Sequence, residues 1–109
     1  MVSNIAEGNA LKTAISYCEY FPATVNDVLC NDVIRHAARN AGCQQEELAK
    51  PFKWSEDFGF FTQHYAGGLF GLGSGVDQPP LHHPGYDFPD ELMETGINLF
   101  EEIIKIINK

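Results

Sequence analysis

Basic side chains are scarce in this sequence. Seven Lys and Arg stand against fifteen Asp and Glu, a formal net charge of −8 over 109 residues, and no local cluster of cations offsets it. A surface of that sign repels phosphate backbones and anionic lipid headgroups, which argues against nucleic acid and membrane surfaces as partners. Long apolar runs are missing too: no stretch approaches the roughly 20 residues that a bilayer crossing requires. The opening Met1-Val2-Ser3-Asn4-Ile5-Ala6-Glu7 carries neither the basic start nor the apolar stretch of a secretory leader. Cysteine is sparse and odd in number, with Cys18, Cys30 and Cys43 at no C-x-x-C spacing, so a disulfide framework is not expected. These absences predict a cytoplasmic chain with three reduced thiols.

What is present is globular in composition, with 44% hydrophobic and 20% charged residues and no low-complexity tract. The length suits one small domain and not two. Residues 5 to 12 have weak helical spacing, interrupted by Gly8. Over 14 to 21, Ile15, Tyr17 and Phe21 alternate with Ser16, Cys18 and Tyr20, which predicts a strand ended by Pro22. A helix is expected over 26 to 41, capped by Asn26 or Thr24, with Asp27 in its first turn. Leu29, Val33, Ala37 and Ala41 line its apolar stripe, and Gly42 supplies the stop.

A second helix is expected from Ser55, with Glu56 and Asp57 in its first turn and Gly67-Gly68 at its end. Leu69-Phe70-Gly71-Leu72-Gly73 reads as a short buried strand of the parallel-sheet kind. A proline-rich loop with His82, His83, Tyr86 and Phe88 runs from 73 to 89. Asp90 then caps a last helix to about Asn108, with Leu92, Gly96, Leu99, Ile103 and Ile107 on one face, widened by Phe100 and Ile104. Strand, helix, helix, strand, helix is an α/β pattern: three main helices with two or three short strands. Two short strands make a poor sheet alone, so the pattern reads as part of a larger α/β domain.

Three stretches carry a family resemblance: Tyr20-Phe21-Pro22-Ala23-Thr24-Val25-Asn26-Asp27, then Ser55-Glu56-Asp57-Phe58-Gly59-Phe60-Phe61, then Leu69 to Gly75 continuing into Pro80 to Glu91. In this order and spacing they resemble the end of the M20 amidohydrolases, in the branch containing hippurate hydrolase, N-acyl-amino-acid amidohydrolases and auxin-conjugate hydrolases. The resemblance implies part of a three-layer zinc-peptidase-like domain. By it, residues 1–21 are the last helix and strand of an inserted dimerisation domain, and residues 22–109 are the C-terminal portion of the catalytic domain. It also implies a dinuclear metal site, with Zn, Mn, Co or Ni, that cleaves the amide bond of N-acyl amino acids or small peptides. The family's last metal ligand is the first histidine of a Leu-His-x-Pro segment, which here is His82. The other ligands and the glutamate base have no counterpart in these residues, so no catalytic residue is assigned within the chain. Alone it is expected to be inactive and to hold no metal tightly.

The remaining candidates have a functional and a plain reading each. Glu56 and Asp57 either lie near metal and substrate or complement a helix dipole. Gly73-Ser74-Gly75 either brings backbone N–H groups to a substrate carboxylate or makes a turn after a strand. His83 and Asp87 either assist His82 or are solvated. A different class of function is a non-catalytic homo-oligomer or a complementing partner chain, because a partial domain leaves apolar faces and strand edges uncovered. A stand-alone metal-binding domain using His82, His83 and Asp87 is a third.

Overall fold

Helix formation starts most firmly at Asp27. Its carboxylate accepts the free N–H of Cys30 at 3.0 Å, so Asp27, and not Asn26 or Thr24, is the N-cap of the helix that follows. The computed structural model describes residues 1–54 and 56–109, and the helix start expected at Ser55 lies outside the described residues. Among the described residues there are four helices: α1 Val2–Gly8, α2 Val28–Asn40, α3 Phe58–Thr62 and α4 Glu91–Ile107. The end of α2 follows from Gly42, whose φ of 72° is left-handed. There Cys43 N–H reaches Ala38 O at 2.8 Å and Gly42 N–H reaches Arg39 O at 3.1 Å, the paired bonds of a glycine-terminated helix. Among the described residues no helix is long and apolar enough to cross a membrane.

The core lies where α2 meets α4. Ala37 and Ala38 give α2 a flat surface, and Leu99 of α4 packs onto it at 3% exposure. Cys43, Phe70, Ile103 and Ile106 close the cluster. The expected stripes are therefore partly displaced. Leu29 is 75% exposed, and Ile106 packs inward where Ile107 was expected. Asn40 Nδ2 donates to Glu102 Oε2 at 3.1 Å and ties the two helices at their edge. Hydrogen bonds from Lys105 and then Asn40 hold the Glu102 carboxyl below its usual range.

The α/β expectation is corrected: the structure is helical, and among the described residues there is no strand and no sheet. Among the described residues neither the partial three-layer arrangement nor the two or three short strands is present. Alternating hydrophobicity marks a segment with one face to bury, but a strand exists only when a neighbour takes its backbone hydrogen bonds. Over 14 to 21 no second segment pairs, Tyr17 and Tyr20 stand exposed, and Glu19 breaks the extended run with a φ of 51°. Over 69 to 73 a side chain substitutes for a neighbouring strand. Asn26 Nδ2 donates to Leu69 O at 2.7 Å, while Asn26 Oδ1 accepts from Leu69 N–H at 2.9 Å. With Asp27 N–H donating to Gly67 O at 2.9 Å, this fastens the glycine-rich strip to the start of α2.

The result is an open molecule. Its radius of gyration is 19.7 Å, against about 13 Å for a compact domain of this length. Its accessible surface is 9438 Å², against about 6,000 Å² for a folded monomer of this mass. Part of the difference is apolar surface, since large side chains such as Tyr17, Leu29, Trp54 and Ile97 stand exposed.

Candidate functional site

The loop that enters α4 is built from two consecutive turns. His83 N–H donates to Pro80 O at 3.0 Å, and Tyr86 N–H donates to His83 O at 2.9 Å. The first turn places His82 at its third residue with a φ of 69°, the left-handed value that a type II turn requires there. Histidine adopts this region more readily than branched residues do, yet glycine or asparagine would sit there with less strain. His82 is thus held at the apex of an exposed turn. His83 is committed differently: its Nδ1 accepts the Gly85 N–H at 3.0 Å, which leaves only the far nitrogen of that ring open. Asp87 lies exposed beyond the second turn and makes no hydrogen bond with either histidine among the described residues.

Behind this loop an open groove of about 1050 Å³ separates the Pro22 turn, the segment after α2, and the 69–74 strip. Of the residues singled out in the sequence, Glu56, Gly73 and Ser74 line it, as do Leu81 and Tyr86 next to the histidines. Asp57, Gly75, His82, His83 and Asp87 do not. Glu56 lies just before α3, whose N-cap is Asp57, and its Oε1 accepts the Phe58 N–H at 3.2 Å. Asp57 makes no capping bond through its side chain. The plain reading therefore accounts for Glu56, although its position on the groove wall is also met.

Sequence reasoning missed a second feature of the groove. Phe52 and Trp54 stack with ring centroids 3.9 Å apart and planes 7° apart. The edge of Phe52 lies so close to Gly71 that a Cβ there would stand 3.0 Å from it. The signal was available in the aromatic pair of Phe52-Lys53-Trp54, though residues i and i+2 normally point apart. One cation on the groove wall is already engaged: Arg35 bonds Asp32 at 3.2 Å and also pairs with Glu47. The Glu47 hydrogen bond and charge raise the Arg35 pKa. Burial, then Asp27, pushes the Cys30 thiol up, which makes it a poor nucleophile.

Among the described residues no three His, Cys, Asp or Glu side chains converge to hold a metal ion. His82 offers one imidazole, and a two-metal centre requires several donors. These residues taken alone do not compose such a centre.

The sequence model of peptidase family M20/M25/M40 matches residues 12–106. The chain belongs to this family. It carries an M20 hydrolase-family domain, and the family is generally metal-dependent. A protein of Synechocystis sp. described as a probable hydrolase is 27% identical to it over 103 residues. The alignment covers 89% of this chain but 26% of that protein, so the chain spans about a quarter of the relative's length. No solved structure matches the chain.

Proposed function

We propose that residues 22–109 are the C-terminal portion of the catalytic domain of a metal-dependent M20 amidohydrolase, in the hippurate hydrolase and aminoacylase branch. Residues 1–21 are then the remnant of its inserted domain. Supporting that division, α2 and α4 pack together while α1 packs on no other helix, and the intervening 11–21 is exposed. The substrate class is N-acyl amino acids or small peptides. His82 is the residue that meets a divalent metal, Zn, Mn, Co or Ni, and the observation that carries this is its place at the apex of the Pro80–His83 turn inside the family-matched region. A histidine held in a left-handed conformation is costlier than a glycine there, and such strain collects at functional positions.

Hydrolysis needs further donors and a proton acceptor that these residues do not bring together. The isolated chain is accordingly inactive in this reading. The test is turnover of hippurate and other N-acyl amino acids by the purified chain with Mn or Zn. No release of free amino acid above the metal blank is expected. Turnover that copurifies with the chain and disappears in His82→Ala would show that the chain is a complete catalyst and refute the reading.

A further inference from the structure

The side chain of Asn26 is committed to one residue far along the sequence. Its Nδ2 donates to Leu69 O at 2.7 Å, and its Oδ1 accepts from Leu69 N–H at 2.9 Å. Nδ2 also donates to Asn31 Oδ1 at 3.0 Å. The N–H and C=O of Leu69 dictate which end of the amide is which. Among the described residues, the two bonds to Leu69 are the only hydrogen bonds made by the backbone of residues 68–79.

What else holds this strip is contact. Gly68 lies so close to α2 that a Cβ there would stand 2.6 Å from Ile34 Cδ1. The rings of Phe70 and Phe100 lie 5.8 Å apart, and Leu72 reaches Gly96 of α4. Gly71 faces the edge of Phe52 across the groove. Apolar contact has no direction. A glycine-rich apolar run such as Leu69-Phe70-Gly71-Leu72-Gly73 therefore specifies its register weakly. The Asp27 N–H on Gly67 O supplies one fixed point, but Gly68 follows it and leaves the chain free to turn. A donor and an acceptor aimed together at Leu69 admit one register and one orientation.

We propose that Asn26 is a positioning residue: its amide sets the register of the 67–74 strip on α2 and so places the groove wall opposite Phe52. The inference concerns the shape of the groove and is independent of the metal chemistry proposed above.

The test is amide hydrogen exchange and nuclear magnetic resonance on the 109-residue chain. The Leu69 amide should exchange at least about tenfold more slowly than those of Gly71 and Gly73, which have no acceptor among the described residues. In Asn26→Ala, Leu69 should exchange as fast as the two glycines, and the Overhauser contact between the Phe52 ring and Gly71 should vanish. Protection at Ala37 and Ala38, in the buried cluster of α2, should stay within about threefold. A scalar coupling across the hydrogen bond from Asn26 Nδ2 to the Leu69 carbonyl carbon should be present in the unaltered chain, a readout that needs no variant. Leu69 exchange as fast as the glycines in the unaltered chain, or absence of that coupling, would overturn the proposal. So would a Phe52–Gly71 contact that survives Asn26→Ala. Loss of protection at Ala37 and Ala38 together with Leu69 would overturn it as well, because Asn26 would then support the whole fold and not one strip.

Discussion

Leu99→Ala should unfold most of this chain at room temperature. Leu99 is the one large side chain in the buried cluster, and its other buried members, Ala37 and Ala38, have little volume to relax into the gap. Truncating a buried leucine costs about 2–5 kcal/mol from lost transfer energy and the cavity left behind. A compact domain has about 5–15 kcal/mol in total. A chain that buries as little as this one holds less, because among the described residues the α2–α4 contact is the only packing between helices. The measurement is circular dichroism against urea, with Leu11→Ala as a control, since Leu11 is exposed. The control should move the midpoint by no more than about 0.5 kcal/mol. A Leu99→Ala chain with an unchanged cooperative transition would mean that the α2–α4 packing does not hold the molecule together.

The second large effect concerns His82. In an assembled M20 enzyme containing this chain, His82→Asn and His82→Ala should each lower hydrolysis by more than about 100-fold, since loss of groups that merely orient metal ligands already costs 10–100-fold. Asparagine is the sharper variant because it tolerates the left-handed backbone at that position, so the turn survives while the imidazole is lost. His83→Ala should cost less than about tenfold, because one nitrogen of that ring already serves the Gly85 N–H. Equal losses at both positions would point to damage of the turn, and a larger loss at His83 would reverse the assignment of the ligand.

Much of the helical layout could be read from residue order, and the reasons for the failures are physical. Gly42 as the stop of α2 follows from a local preference that tertiary contacts did not override, whereas Asp90, expected to cap α4, precedes it in a helical conformation and makes no capping bond through its side chain. The strand expectations failed because a period of two reports which face seeks burial and says nothing about whether a partner is present. At Leu69 the missing partner is replaced by the amide of Asn26, 43 residues away, a contact that no local pattern encodes. The second helix shortened to Phe58–Thr62, well short of Gly67-Gly68. Leu29 was placed on the buried stripe by spacing, but α2 is covered on one side only, so the N-terminal end of that stripe remains open. For the site, the Leu81-His82-His83-Pro84 segment was recognisable as a motif. Its left-handed turn and the Phe52–Trp54 stack were not, since both arise from backbone geometry and packing.

Metal stoichiometry of the purified 109-residue chain tests the account most directly. Titration calorimetry with Zn or Mn should show at most one weakly bound ion per chain, with the response removed in His82→Asn and retained in His83→Ala. Two tightly bound divalent ions per chain, held without any other polypeptide, would contradict the account, because that requires a full ligand set that these residues do not bring together.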